Sequence, residues 1–196
     1  MSNNGSLLTR SAPFPLSDQV EWSDEQLIRA AQANPQAFDA LYRRYVERIY
    51  AYLYSFTYDA HDAEDMTSQT FLSAWKGLRQ YRERGTFAAW LFHIARNKAH
   101  DLHRQKHPQI TLDDIGDLPV ELDPAAGFEK EETLRRVILL IGRLDPEQID
   151  LLRLHFGAGL SYADIGSVLG RSTEATKMVF HRLFQKLRSE WKEFDE

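Results

Sequence analysis

Apolar residues return every third or fourth position through most of this 196-residue chain, and no segment sustains an apolar/polar alternation. A repeat near 3.6 selects amphipathic helices; the repeat of two that a half-buried strand requires is missing. The fold class is therefore all-α. Helix starts are written into the chain at the right places. Ser23 with Gln26 three residues on forms a capping box, and Trp22 and Leu27 are placed to staple it. Asn34-Pro35 supplies a cap and a proline at the first helical position. Phe38, Leu41, Tyr42, Tyr45, Ile49, Tyr52 and Leu53 then recur at helical spacing, and a third helix is expected from about Ala60 to Leu78, carrying Met66, Phe71, Leu72 and Trp75. After a polar loop at 79–86, Phe87, Trp90, Leu91, Ile94, Ala95 and Leu102 form one stripe; His93, Arg96, Asn97, His100 and Arg104 form the opposite, basic one. Trp75 and Trp90 are expected in the core, as aromatics at helical spacing usually are.

Composition changes between His107 and Glu132. Asp113, Asp114, Asp117, Glu121, Asp123, Glu129, Glu131 and Glu132 face a single Lys130, and Pro108, Gly116, Pro119, Pro124 and Gly127 interrupt any regular element. This reads as a flexible acidic linker, 107–127, joining two small helical domains at 21–106 and 128–196. Residues 1–20, rich in Ser, Asn, Gly and Pro, read as a disordered tail and not as a secretory signal. No apolar run approaches the roughly 18 residues of a membrane span, so membrane insertion is not expected.

The second domain ends in a distinctive layout. Asp145-Pro146-Glu147 starts one helix and Ser161-Tyr162-Ala163-Asp164 the next, which spans about 162–168. Leu169-Gly170-Arg171 breaks it, and Ser172-Thr173-Glu174 opens a longer helix over about 173–190. Short helix, glycine turn and longer helix make a helix-turn-helix, in which the first element braces the second against the major groove. The inner face of the second carries Thr176, Val179, Phe180, Leu183 and Leu187; the outer face carries Glu174, Lys177, Met178, His181 and Arg182. From Arg171 to Lys192 six bases stand against two acids, enough to hold phosphates and, through Arg or Lys, to read guanine edges.

Little points to catalysis. The chain has no cysteine, which removes thiol nucleophiles, disulfides and Cys-based zinc sites. No nucleophile–base pair or carboxylate pair is evident, and nothing calls for a cofactor or metal. His61-Asp62 lacks the further ligands of a metal-dependent phosphohydrolase, and Gly157-Ala158-Gly159 reads as a helix end, not a phosphate loop.

Several stretches together resemble the extracytoplasmic-function sigma factors of the sigma-70 family. They are Ala37–Tyr45, Asp62-Ala63-Glu64-Asp65-Met66-Thr67-Ser68-Gln69-Thr70-Phe71, Phe87-Ala88-Ala89-Trp90-Leu91-Phe92-His93-Ile94-Ala95-Arg96-Asn97, Leu144–Gln148, and Leu160–Gly166 with Leu169-Gly170. The resemblance implies that the first domain is sigma region 2 and the second sigma region 4, in a factor that directs RNA polymerase to promoters from the cytoplasm. It implies a core-polymerase surface of Asp62, Glu64, Asp65, Ser68, Gln69, Phe71 and Leu72. It implies a surface that opens and reads the −10 element, made of Tyr81, Arg82, Arg84, Arg96, Asn97, Lys98, His100 and Arg104. It implies a −35 reader made of Arg171, Ser172, Glu174, Lys177, Met178, His181 and Arg182. Strand opening needs a pocket for an unstacked base beside a basic track, and the Asn97 amide both donates and accepts at a base edge. Val179 and Met178 stand where the family often has Arg and Ser, so the −35 sequence does not carry over. The partners implied are core RNA polymerase, through its β and β′ subunits, and promoter DNA; an anti-sigma factor, which commonly restrains the family, is an open expectation. With a net charge of −5, the chain is more acidic than a free-standing DNA binder. Two other classes stay open on sequence: a helix-turn-helix regulator that binds duplex DNA alone, and a small-molecule enzyme.

Overall fold

The computed structural model describes residues 22–82, 85–106 and 128–193, at 103–106 and 128–131 for the backbone alone. The expected tail and linker lie outside the described residues. Among the described residues eight α-helices follow one another: α1 (Asp24–Ala33), α2 (Phe38–Thr57), α3 (Ala60–Gly77), α4 (Phe87–Lys106), α5 (Phe128–Gly142), α6 (Pro146–Leu152), α7 (Tyr162–Leu169) and α8 (Thr173–Lys192). No strand occurs among the described residues.

The predicted starts form as written. Ser23 and Gln26 make a reciprocal capping box on α1, and Asp145 and Gln148 make another on α6 with Pro146 at its first position. Asn34 caps a single 3₁₀ turn, Pro35–Ala37, that feeds α2. At Ser161 the pattern is met differently. The Ser161 hydroxyl accepts from the Asp164 amide, but the Asp164 carboxylate returns to the Ser161 hydroxyl and not to its backbone. Its other oxygen accepts a hydrogen bond from Thr86 of the first module.

In the first module α2 lies against α3 and α4 and buries most of its apolar stripe: Leu41, Ile49, Tyr52 and Leu53 are completely buried, as are Leu91 and Phe92 of α4, while Phe38 is half-buried and Tyr42 exposed. The Tyr52 ring meets Phe92 and Phe56 edge-on at 5.4 and 5.1 Å, an arrangement that aligns ring edges with ring faces. On α3 the buried stripe is Ala63, Met66, Thr67, Thr70, Phe71 and Ala74; Thr67 and Thr70 satisfy their hydroxyls on the carbonyls of Ala63 and Met66. Trp75 follows Ala74 and is rotated about 100° out of that stripe. It is consequently exposed, resting edge-on against Phe38 at 5.1 Å, a correction to the expected core position. Trp90 is half-buried against Tyr81 and Phe87.

The second module packs α7 across α8 over Ile165, Val168, Phe180 and Leu183. After α6 the chain makes one wider, π-helical turn, Arg153–Gly157, and leaves it through Gly159 at φ +63°. The helix-turn-helix depends on two glycines. Gly170 ends α7 in the left-handed region at φ +68°, where the Arg171 amide reaches back to the Gly166 carbonyl at 2.7 Å. Gly166 lets α8 approach: a β-carbon there would lie 2.7 Å from the Arg171 carbonyl oxygen and 3.0 Å from Thr176 Oγ1.

The modules do not stand apart. One apolar cluster runs through both, joining Leu41, Tyr52, Leu91 and Phe92 to Leu151, Leu154, Leu160, Ile165 and Val168. The contacts concentrate where α4 meets α7 and where α2 meets the π-helical turn.

Gly166→Ala is expected to destabilise the second module by about 1–3 kcal/mol through overpacking against backbone. Gly142→Ala, where no atom lies within 4 Å, serves as the tolerant counterpart. Thermal unfolding of the two variants side by side measures the difference; equal midpoints would contradict the packing argument.

Candidate nucleic-acid and polymerase interfaces

Three surfaces carry the predicted residues. On α3, Asp59 caps the helix by accepting from the Asp62 amide at 2.9 Å, which fixes the first turn and the direction of the side chains after it. Glu64, Asp65, Ser68, Gln69 and Leu72 emerge exposed on the side away from the core, and Asp62 is half-buried. Phe71 is not part of that surface. It is 4% exposed and its ring meets Tyr42 at 4.7 Å and Phe38 at 6.4 Å, so it supports the face from beneath.

The second surface is the loop after α3 with α4. Gln32 of α1 donates to the Leu78 carbonyl at 2.9 Å and so ties down the 3₁₀ turn that launches the loop. The Tyr81 ring packs on Phe87 and Trp90, with its hydroxyl 3.4 Å from the Gly85 carbonyl, and Arg82 is exposed. Arg84 and the side chain of Arg104 lie outside the described residues. Thr86 opens α4 by accepting from the Ala89 amide at 3.1 Å. Along the helix, Asn97 is exposed with its amide nitrogen 3.2 Å from His93 Nε2. Lys98 departs from the predicted set. It turns into a cleft between α3 and α4 with Asp62, Asp65, Gln69 and Asp101, one helical step away from Asn97.

Arg96 and His100 face the second module. The carboxylate of Asp150 on α6, whose side chain is 2% exposed, accepts from Arg96 Nε at 2.6 Å and from the Tyr52 hydroxyl at 3.0 Å. His100 Nε2 stands 3.6 Å from the same carboxylate. Burial pushes the Asp150 carboxyl upward, but the donors His100, Arg96 and Tyr52 outweigh it and hold the group below its ordinary range. Tyr52 moves the other way: burial, then the Asp150 charge, drive its hydroxyl well above the usual tyrosine value. His93 Nδ1 lies 3.2 Å from the Val168 carbonyl at the end of α7.

The third surface is α8. Ser172 caps it by accepting from the Ala175 amide at 3.1 Å. The inner face is as expected, with Thr176, Phe180 and Leu183 buried and Val179 and Leu187 half-buried. Glu174, Lys177, Met178, His181 and Arg182 are exposed side by side on the outer face. Arg171 is committed elsewhere, in an ion pair with Glu147 of α6.

Sequence reasoning did not find Asp150, Arg48 or the Thr86–Asp164 pair. Asp150 had a signal: it is an acid inside the apolar run Ile149, Leu151, Leu152. Arg48 had none, since an arginine on a helix is normally solvated; here it donates to the Ala158 carbonyl through Nε at 2.9 Å and Nη2 at 2.6 Å. Among the described residues no cluster of His, Asp and Glu is arranged to hold a metal ion, and no helix is long and apolar enough to cross a membrane.

Comparison with known proteins agrees with this geometry. Residues 41–108 match the family model for Sigma-70 region 2, and residues 140–189 that for Sigma-70, region 4. The chain is 30% identical over 178 residues to the ECF RNA polymerase sigma factor BldN of Streptomyces coelicolor, covering 88% of this chain and 67% of that one. It is also 30% identical over 185 residues to the ECF RNA polymerase sigma factor SigE of Mycolicibacterium smegmatis, covering 89% and 72%. Among solved structures, CnrH in complex with the cytosolic domain of CnrY superposes with a TM-score of 0.61 at 26% identity, covering 85% of this chain and 96% of that chain. The sigma factor RpoE in complex with the anti-sigma factor NepR from Bartonella quintana shares the fold, with a TM-score of 0.56 at 20% identity, covering 80% and 98%.

Asp150→Ala is expected to cost about 3–5 kcal/mol, because Arg96 and Tyr52 lose the partner they were buried with. A depressed carboxyl stabilises above its unfolded value, near pH 4, and that contribution disappears as pH falls through the lower folded value. Denaturant unfolding across pH tests this: the gap between the parent and Asp150→Ala should be full at neutrality and shrink in acid. A gap that persists unchanged in strong acid would place the effect elsewhere.

Proposed function

The chain belongs to the sigma-70 family, among its extracytoplasmic-function (ECF) members, and from that premise we propose how its three surfaces divide the work of directing RNA polymerase to promoters. The α3 face, Asp62 with exposed Glu64, Asp65, Ser68, Gln69 and Leu72, is the mount on core polymerase. Asp62 sits in the first turn of the helix, where the dipole favours it, and with Glu64 and Asp65 leaves a negative surface for a basic partner. Phe71 holds that face in shape from within. Lys98 belongs here and not with the promoter-opening residues, since it sits among Asp62, Asp65 and Asp101.

The loop and α4 open and read the −10 element. Melting a duplex needs somewhere to put an unstacked base and a cation to hold the strand. Tyr81 and Trp90 supply the aromatic wall; Arg82 and Arg96 supply charge, with the His100 ring beside Arg96; Asn97 presents an exposed amide for a base edge. The outer face of α8 reads the −35 element, with Lys177 and Arg182 as phosphate or guanine partners and Met178 and His181 between them. Ser172, at the helix N-terminus, is placed for a phosphate. Arg171 must first leave Glu147 to contribute.

The observation that carries this reading is the coexistence, in one chain, of an exposed recognition face on α8 and a second, chemically different reading face on α4. A duplex-binding regulator needs only the first. The chain acts as an adaptor in this reading, and its place of work is the cytoplasm, where polymerase is.

Run-off transcription with core polymerase on a promoter library is the direct test. Asn97→Ala should lower open-complex formation by roughly tenfold while leaving −35 contacts in place. Lys177→Ala and Arg182→Ala should each weaken promoter binding by about 1–3 kcal/mol and flatten its salt dependence. Specific transcripts from all three variants at the parent level would remove these assignments.

A further inference from the structure

Resting on the reading of α8 as the −35 surface, we infer that Met178 selects one base of that element: it seats on the 5-methyl group of a thymine in the major groove.

The placement comes from helix geometry. Thr176, Phe180 and Leu183 are buried and define the side of α8 that α7 braces. At about 100° per residue, Met178 falls within about 15° of the line directly opposite them, and Glu174, one turn earlier, within about 30° of it. His181 and Lys177 lie to one side of that line and Arg182 to the other, about 45–90° away. All five side chains are exposed. A braced helix in the major groove turns its central line to the groove floor, where the base edges are, and its flanks to the walls, where the phosphates are. The flanking cations are thus placed for the backbone. The central line holds a carboxylate, which phosphate would repel, and a thioether.

Met178 is 52% exposed in the middle of this face. Its neighbours one turn away are Glu174, His181 and Arg182, with only the Ala175 methyl as apolar cover. An apolar group so placed gains by meeting another, and the thymine methyl is the one apolar group that the four bases present in the major groove. Methionine is unbranched, with three rotatable bonds, and so reaches past its neighbours and settles against a methyl. The same contact works against the other bases. Cytosine presents an amino group there, and the purines present N7 with an amino or carbonyl group; a thioether laid over any of these leaves it without a hydrogen-bond partner.

The test uses the full chain on core polymerase and a promoter selected from a library by that holoenzyme. Each thymidine of the −35 element is replaced in turn by deoxyuridine, which removes the methyl and keeps every hydrogen-bonding group, and promoter affinity is read by competition binding. At one thymidine the replacement should weaken binding roughly fourfold, the size expected for uncovering one methyl-sized group. Met178→Ala should bind the unmodified promoter more weakly by a similar factor and no longer distinguish thymidine from deoxyuridine at that position. Met178→Leu, which stays apolar, should retain the distinction. A selected −35 element that holds no methyl-sensitive thymidine, or a methyl effect of equal size in the parent and Met178→Ala, overturns the assignment. Lys177→Ala and Arg182→Ala in the same assay separate that failure from a failure of the −35 reading. Weaker binding by these two variants leaves the reading standing; parental binding by both removes it together with the role of Met178.

Discussion

A carboxylate taken out of water costs several kcal/mol unless donors surround it, and the position of Asp150 is set by that requirement. It lies on α6 among Leu151 and Leu154, which are fully buried, and its own module offers it little. The donors come from the other module, Tyr52 from α2 and Arg96 from α4, with His100 of α4 3.6 Å away. Separated, both sides would have to find water or each other again. The fold is thus two bundles whose relative placement is set by directional pairs, Asp150 at the buried centre and Arg48 and Thr86 beside it, while the apolar contact around them supplies area without direction. Directional pairing at the centre of an apolar seam specifies one docking geometry where Leu against Leu would allow several.

Much of this architecture was legible because it is local. Capping at Ser23, Asn34, Asp145 and Ser172 involves residues three or fewer positions apart, and the apolar stripes of α2 and α8 follow from helix geometry alone. The outer face of α8 was readable for the same reason, since Thr176, Phe180 and Leu183 leave only one side free. Where reading failed, the deciding contact was distant in sequence. Trp75 is one position beyond its helix's buried stripe, and the boundary of that stripe is set by α2. Lys98, one helical step from Asn97, lies on the side of α4 that α3 meets with Asp62, Asp65 and Gln69. Asp164 looked like half of a capping box, but its second oxygen went to Thr86, 78 residues away in the chain.

Phe71 and Tyr81 show how one sequence motif mixes support and contact. Both lie within residues 41–108, the part matched to Sigma-70 region 2, and both are aromatic rings packed on other aromatic rings. A motif records every residue needed for a surface, including those beneath it. Only burial separates the two roles, and the 4% exposure of Phe71 assigns it to the support. Leu72, its neighbour on α3, is 53% exposed and carries the opposite assignment. An apolar side chain left in water beside Asp65, Ser68 and Gln69 is the kind of group that gains from being covered by a partner.

Charge explains why such a chain needs a larger enzyme. Its net charge is −5, and only nine of its 24 lysines and arginines lie on α4 and α8. Affinity for DNA grows with the number of phosphates neutralised, and neither face alone offers the many cations that tight autonomous binding requires. The α4 set is smaller still, because Arg96 is already neutralised by Asp150, and on the α8 side Arg171 is neutralised by Glu147. Both pairs exchange one anion for another when DNA arrives, so the net electrostatic gain is modest. The negative α3 face provides a physical route. A basic partner bound there adds free energy without competing for the cations of α4 and α8.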